Sequence, residues 1–293
     1  MSRAFLSLLV IALSATIAHA DAPYSLGWAL RPAAPASVIR SDTTVGFFDD
    51  AGMSGSTVAS TFLISYKLLP TLSPLVRVAV IRNDPATGDS ATALSNPLVG
   101  AMWAPPIVSP PFKLAAFGGL ALPLGSGGGN GADPMMTATV RSAIAARANM
   151  DNALFAINDL TPIVGVDAAY VDNGLTLQAE ATLFELIRVR GDEVQPDAYK
   201  TNFTTGMQAG YFIAPWLSTS MELRYQRWLS TPASVKMASA TRDTLSGAVG
   251  VRGHVALGGK RWLRPGVSYA RGFDDPLTGR NYQIVQIDIP FAF

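Results

Sequence analysis

The chain lacks cysteine and has few charged residues for its length. No cysteine occurs among the 293 residues, which excludes a disulfide framework and thiolate metal sites. Charged residues make up 15% of the chain, hydrophobic residues make up 49%, and there are two histidines. No spaced cluster of His, Asp and Glu is visible, so we expect neither a metal nor another cofactor.

The chain also lacks an excess of basic residues. It has 22 Lys and Arg against 21 Asp and Glu. Residues 1–20 contain one of these, Arg3, so the rest of the chain has 21 basic and 21 acidic residues. A protein that binds nucleic acid usually shows a basic surplus. We therefore expect no nucleic-acid partner.

Long hydrophobic runs are missing after the first twenty residues. Residues 1–20 read as a cleaved secretory signal, with Arg3 as the charged region, an apolar stretch over 4–17 and the cleavage pattern Ala18-His19-Ala20. A retained membrane anchor, the alternative, needs roughly 18–20 apolar residues. An exported chain without a later run of that length can span lipid only as a closed β-barrel.

Apolar and polar residues alternate in short segments, which is the period of a β-strand. At the C-terminus, Ile287, Ile289, Phe291 and Phe293 share one face, and Asp288 lies on the other. The pattern predicts about twelve strands, with ten and fourteen as alternatives. The segments are 38–49, 56–69, 73–83, 94–104, 110–124, 161–172, 174–190, 201–213, 216–230, 242–257, 262–273 and 281–293.

Three features favour a membrane barrel over a soluble sandwich. First, the connections alternate strictly between short turns and longer polar loops, as periplasmic turns and extracellular loops do. Second, aromatic residues lie at strand ends, as interfacial girdles require. These residues are Trp103, Trp216, Trp228, Trp262, Phe212 and Phe273. Third, Ile287, Ile289, Phe291 and Phe293 resemble the C-terminal assembly signal of outer-membrane barrels.

We therefore predict an all-β protein, a transmembrane antiparallel up-and-down barrel over residues 38–293, located in the outer membrane. The expected partners are outer-membrane lipid, small solutes and the barrel assembly machinery, which would recognise the C-terminal strand. Residues 21–37 form an N-terminal segment that is either periplasmic or enters the lumen. Alternatively, they contain the first strand, with 38–49 in its loop.

The longest loop, 125–160, should be extracellular and partly helical. It opens with a glycine-rich run at 125–131, and Asp133 and Pro134 are good first residues of a helix. Apolar residues then recur near helical spacing, which predicts a helix from about Pro134 to Asn152. This loop could fold into the lumen, cap the mouth or pack on other loops.

Polar residues on the inward face are the candidate functional residues. They are Lys67, Arg77, Lys113, Asp167, Glu180, Glu222, Arg224, Arg252, His254, Arg264 and Asp288. They could cross-pair and fill the interior, line a polar conduit or form a ligand site. His254 could also act with a serine in an outer-membrane hydrolase, and Ser268 is the nearest expected partner. Since no hydrolase motif surrounds either residue, we expect a non-enzymatic protein.

The segment Asn96 to Gly100 (Asn-Pro-Leu-Val-Gly), the closing strand and the chain length resemble the phenol meta-pathway (MetA-like) family of outer-membrane proteins. The resemblance implies transport of hydrophobic or aromatic compounds. It does not identify any specific binding residue in this chain. Our leading interpretation is passive diffusion of small solutes, including such compounds, with the 125–160 loop as gate or constriction. The alternative is a structural barrel with a filled lumen, whose loops contact partners.

Overall fold

The alternating segments form fifteen strands in the part of the chain that the structure covers. This structure is a computed structural model that describes residues 24–50, 52–106, 109–191 and 197–293. The predicted signal peptide lies outside the described residues. The strands are β1 (Val38–Asp50), β2 (Met53–Ser65), β3 (Leu72–Asp84), β4 (Ala91–Leu94), β5 (Leu98–Trp103), β6 (Phe112–Ala121), β7 (Asp159–Asp172), β8 (Leu175–Arg188), β9 (Tyr199–Ala214), β10 (Leu217–Trp228), β11 (Asp243–Gly253), β12 (Val255–Ala256), β13 (Trp262–Leu263), β14 (Gly266–Gly272) and β15 (Gln283–Ala292).

These strands close into an antiparallel barrel with twelve crossings. The last strand, β15, pairs with β1 from Ala292 opposite Val38 to Gln283 opposite Phe47. Both β4 and β5 pair with β3, so together they make one interrupted crossing. The two-residue strands β12 and β13 lengthen the crossings of β11 and β14. The predicted fold and strand number are confirmed.

The alternation has the sense expected in lipid, with apolar side chains outside. On β15, Ile287 and Ile289 are exposed, whereas Gln286 and Asp288 are buried in the interior. Because side chains alternate across a strand, this orientation repeats along the closing strand to Phe293. The outer surface therefore meets lipid, and the polar face lines the lumen.

The tryptophans divide between the two faces. Trp103 and Trp216 are exposed at the outer surface. Trp228, however, packs against an interior hydrophobic cluster, and Trp262 lies opposite Ala292 on the inner face. Strand parity places these two inside, and Phe212 is also inside, where its ring packs 4.4 Å from that of His254. The prediction of an outer girdle is therefore wrong for Trp228, Trp262 and Phe212.

The two ends of the barrel differ in their connections. One end has the turns 66–71, 104–111, 173–174, 215–216 and 257–261, and the other has the connections 51–52, 85–90, 122–158, 189–198, 229–242 and 273–282. Strict alternation in length is wrong at the first loop, because β1 ends at Asp50 and β2 begins at Met53, so only two residues separate them. The turn over 104–111 is also longer than predicted. Long loops mark the extracellular end of bacterial barrels, so the first set lies at the periplasmic end.

The helices are short and lie in the extracellular connections. They are α1 (Pro134–Ala146), α2 (Asn152–Phe155) and α3 (Ala233–Met237), with a 3₁₀ turn at Ser239–Thr241. Within the described residues, no helix combines the length and the apolar character that crossing a membrane requires.

Candidate functional site: a lumen filled from both ends

Residues 24–37 lie inside the barrel and fill the periplasmic half of the lumen. We call them the N-terminal plug. The side chain of Trp28 is completely buried, and Leu30 is nearly so. Arg31 reaches Asp167 and Thr182 on the opposite wall. The alternative in which this segment forms the first strand is wrong, since β1 begins at Val38.

Glycines on the inner wall make room for the plug. A Cβ on Gly266 would lie 2.8 Å from Cη2 of Trp28, and a Cβ on Gly206 would lie 2.8 Å from Cδ1 of Leu30. Both distances are shorter than real Cβ contacts. By contrast, a Cβ on Gly118, which faces outwards on β6, would meet nothing within 4 Å. The inner wall is therefore shaped to the side chains of the plug.

Gly266→Ala should loosen the plug without disturbing the outer surface. The added methyl meets the rigid Trp28 ring, and overpacking of this kind costs about 1–3 kcal/mol. We expect backbone hydrogen exchange of residues 25–31 to accelerate by roughly five- to 150-fold, as this energy range implies. Gly118→Ala is the matched control and should change nothing. Equal exchange in the two variants would contradict the fit of the plug to its wall.

The connection 122–158, which we call the lumenal loop, enters from the extracellular end. Helix α1 begins after Asp133, whose carboxylate accepts hydrogen bonds from the N–H groups of Met135 and Met136. Val140 and Ala143 on this helix are fully buried against the upper wall. The predicted cap is confirmed, but α1 ends at Ala146 rather than near Asn152. Of the three placements left open by the sequence, the structure shows the lumenal one.

Ion pairs hold the lumenal loop to the wall. Arg147 donates to Asp42 on β1 (2.8 Å) and to Asp151 (2.7 Å). Arg77 on β3 binds the same Asp151 carboxylate through both of its terminal nitrogens, at 2.7 and 2.9 Å. Such bidentate, charge-assisted contacts fix orientation as well as position. The loop is therefore attached to two different strands.

The pKa of Asp151 lies well below its usual range. Burial alone would raise it, but the guanidinium groups of Arg77 and Arg147 outweigh burial. A lowered carboxylate pKa adds stability that is fully present above the unfolded value of about 4. That stability is lost only as the pH falls through the lower folded value. The loop should therefore stay attached across the neutral and mildly acidic range.

Asn96 anchors the base of the lumenal loop. Its side chain accepts a hydrogen bond from the N–H of Gly125 (3.0 Å) and donates to the carbonyl of Ala156 (2.7 Å). One amide thus joins the two ends of the loop. Pro97 follows directly, and since proline cannot donate to a strand ladder, β4 and β5 are separated there. The Asn96 to Gly100 segment therefore has a structural role.

A cavity of about 90 Å³ separates the plug from the lumenal loop. Ala29 and Arg31 form its floor, and Asp151 and Leu154 form its roof. A water molecule needs ~10–15 Å³ measured in this way, so the cavity has room for several. Most of its wall is apolar, with Leu63, Leu75, Leu98, Phe117, Ile163 and Phe184 on the strands.

Several predicted lumenal charges pair around the plug. Asp288 accepts from Arg40 (2.7 Å) and Arg252 (2.6 Å), and Arg252 also covers the Trp28 ring at 4.5 Å. Glu222 bonds Arg224 at 2.8 Å. Asp167 and Glu180 contact Arg31 of the plug. Arg77 pairs with Asp151 of the lumenal loop. The structure thus brings most of the predicted charges together.

Three of the predicted residues lie apart from this network. Lys67 is exposed beyond the end of β2, so the prediction that it lines the lumen is wrong. Lys113 is half-buried on β6, and its side chain has no hydrogen bond within the described residues. Arg264 stacks 5.9 Å above Trp262 near the periplasmic mouth.

His254 bonds a serine, but not the predicted one. Its Nε2 lies 2.8 Å from Oγ of Ser218, whereas Ser268 lies opposite Gly250 on the neighbouring strand. Among the described residues, no carboxylate contacts the imidazole ring. A serine nucleophile needs its histidine to be oriented by a third group, so this pair has the geometry of a buried structural contact.

Sequence reasoning missed the groups that attach the plug and the loop. They are Trp28, Arg31, Arg40, Asp42, Arg147, Asp151, Gln178, Gln208 and Gln286. The inward parity of Asp42, Gln178, Gln208 and Gln286 was visible in the strand pattern. Most of their partners could not be found in that way, because these partners lie in the plug and the lumenal loop.

No protein-family model matches this chain, and no curated protein matches its sequence. Solved structures do resemble it. The COG4313 outer membrane channel from Pseudomonas putida F1 superposes with a TM-score of 0.56 at 12% identity, covering 92% of this chain and 100% of that one. The NanC porin gives a TM-score of 0.51 at 8% identity, covering 86% and 98%.

At these identities the likeness concerns the fold. A closed barrel of twelve antiparallel crossings, apolar outside and polar within, is a transmembrane barrel of the Gram-negative outer membrane. The resemblance to the phenol meta-pathway family stays a prediction.

Proposed function

We propose that this protein is an outer-membrane channel for passive diffusion of small solutes, closed at rest by the N-terminal plug and the lumenal loop. The observation that carries the proposal is the central cavity, which lies between two segments that are not part of the wall. Neither segment is a strand of the barrel sheet, so both can leave while the barrel stays closed. Diffusion through such a path needs no energy coupling.

The cavity favours solutes with an apolar part. Leu63, Leu75, Phe117 and Phe184 form much of its wall, and the guanidinium of Arg31 lies at its floor. Pockets of this kind take up apolar groups and use a few polar groups for orientation. This composition supports hydrophobic and aromatic compounds as solutes, in agreement with the family resemblance.

The closing strand supports a role for the barrel assembly machinery as a partner. Ile287, Ile289 and Phe293 are exposed in one outward row, and the rings of Phe291 and Phe293 stack at 5.8 Å. This row remains open to a partner before β15 pairs with β1. We propose that the assembly machinery recognises it at that stage.

Single-channel conductance of the refolded protein in a planar bilayer tests the channel function. The comparison is a variant that lacks residues 126–158. We expect conductance that rises on deletion, because the lumenal loop obstructs the extracellular half. Heat-modifiable gel mobility verifies folding of both forms. The channel is contradicted if a folded chain that lacks the loop and also carries Trp28→Ala shows no conductance, since the plug alone can close the deletion variant.

A structural barrel is the second candidate, and the paired charges favour it. Buried groups such as Asp42, Arg147 and Asp288 are matched to partners, as the filling of an inert interior requires. In that case the loops of the extracellular end would be the functional surface. The conductance measurement separates the two candidates.

A further inference from the structure

The barrel wall binds the main chain of the plug, and these contacts do not depend on the plug's side chains. The N–H groups of Trp28 and Ala29 donate to the Glu222 carboxylate, and that of Arg31 donates to Glu180 at 2.8 Å. Ser25 donates its N–H to Thr176 at 3.0 Å. Four backbone donors within seven residues are thus satisfied by wall side chains.

The backbone carbonyls of the plug likewise accept hydrogen bonds from wall side chains. Gln208 donates to the carbonyl of Ser25 (2.9 Å), and Gln286 donates to that of Trp28 (3.0 Å). Gln178 donates to the carbonyl of Arg31. Arg40 donates to the carbonyls of Gly27 (3.2 Å) and Trp28 (2.6 Å). The wall therefore matches the backbone donors and acceptors of a peptide that bends as residues 28–30 do, whatever side chains that peptide carries.

Pockets for two plug side chains make the wall selective for the sequence of the bound peptide. The Trp28 ring enters the space left by the inner-face glycines Gly250 and Gly266, under the guanidinium of Arg252. Leu30 enters the space at Gly206. An aromatic residue followed two positions later by an aliphatic one therefore fits the wall.

We infer that the inner wall of β8–β15 and β1 is a binding site for short peptides in the bent conformation of residues 25–31, and that the N-terminal plug is its tethered occupant. This inference rests on the proposed channel function and gives it a solute class: small peptides with apolar side chains. The tether places the plug at millimolar effective concentration, so a free peptide reaches the site only when the plug is weakened.

Binding of a labelled peptide to the refolded full chain tests this inference. The probe is acetyl-Gly-Trp-Ala-Leu-Arg-amide with a fluorescent tag, followed by anisotropy. We expect Trp28→Ala to bind the probe at least tenfold more tightly than the wild type, because the tethered competitor is weaker. Adding Gly266→Ala to the Trp28→Ala chain should weaken binding, because the added methyl occupies the space that takes the Trp ring of the probe.

Two controls separate peptide recognition from general hydrophobic partition. Adding Glu222→Gln to the Trp28→Ala chain should reduce binding at least tenfold, whereas adding Glu185→Gln should not. Glu185 bonds Thr201 and does not touch the plug. A probe with N-methyl groups on the amides of its Trp and Ala lacks the donors that Glu222 accepts, and it should bind at least tenfold more weakly. A probe with Phe for Trp and Lys for Arg should bind within tenfold of the original.

The inference is overturned if Glu222→Gln or N-methylation leaves binding unchanged, or if only the plug's own sequence binds. Its failure is distinct from failure of the channel. Conductance without peptide binding would contradict the peptide site but not the channel function. Peptide binding without conductance in any variant would contradict the channel function but not the peptide site.

Discussion

A chain that lacks residues 126–158 and also carries Trp28→Ala is expected to conduct at least tenfold more than a chain with either change alone. The plug and the lumenal loop obstruct the lumen one above the other, and ionic resistances in series add. Removing one obstruction therefore leaves the other to limit the current. Truncation of a buried Trp costs about 3–5 kcal/mol, and Trp28 is completely buried, so this change should displace the plug.

Single-channel conductance in a planar bilayer measures the effect, with Trp216→Ala as the matched control. Trp216 is exposed on the outer surface, and its replacement in the deletion variant should leave the current unchanged. Gel mobility before and after heating verifies that each variant is folded. If Trp28→Ala adds nothing to the deletion, the plug does not limit flow, and the closed state must be assigned to another part of the lumen.

The lipid-facing half of the fold was predictable because one rule governs it. Every outward residue of a barrel strand meets hydrocarbon, so apolar side chains recur at every second position. The rows through Ile287 and Phe293 on β15, and through Phe62 and Ile64 on β2, follow this rule and are exposed outside. Short turns then divide the chain into crossings. The fold class, the strand number and most boundaries follow from these two signals.

The inner face obeys no single rule, because its neighbours are segments from elsewhere in the chain. Ile81, Phe117 and Phe184 face inwards, yet they are apolar because the lumenal loop packs on them. Strand residues that are apolar on both faces give a continuous hydrophobic run, as in Leu183-Phe184. That run indicates burial on both sides, but it does not say what lies inside.

A lumenal position for residues 21–37 was one of the sequence predictions, but the contacts of the plug were beyond prediction for a related reason. Many of its contacts are hydrogen bonds between its backbone and wall side chains such as Glu222 and Gln286. The residue pattern does not reveal such bonds, because almost every residue has the same backbone groups. The one visible signal is the recurrence of glycine at inward positions, including Gly206 and Gly266. In a strand, such glycines mark the close approach of another segment.

Asp42 joins the two obstructions, so Asp42→Asn should loosen both at once. Its carboxylate accepts from Arg147 of the lumenal loop and from Gln286, each at 2.8 Å. Gln286 also donates to the carbonyl of Trp28 in the plug (3.0 Å). Breaking a buried ion pair by removing one charge costs about 3–5 kcal/mol. Arg147 would keep only Asp151, a carboxylate that it shares with Arg77.

We therefore expect Asp42→Asn to lower the free energy of unfolding by about 3 kcal/mol and to speed hydrogen exchange in both the plug and residues 134–151. Asp243→Asn breaks the exposed pair with Arg227 and should change stability by less than about 1 kcal/mol. Adding Arg147→Met to Asp42→Asn removes the buried charge that has lost one of its two partners, and Asp151 keeps Arg77, so much of the lost stability should return. Faster exchange in the loop with an unchanged plug would mean that the Gln286 bridge does not couple them, and the two obstructions would then open independently.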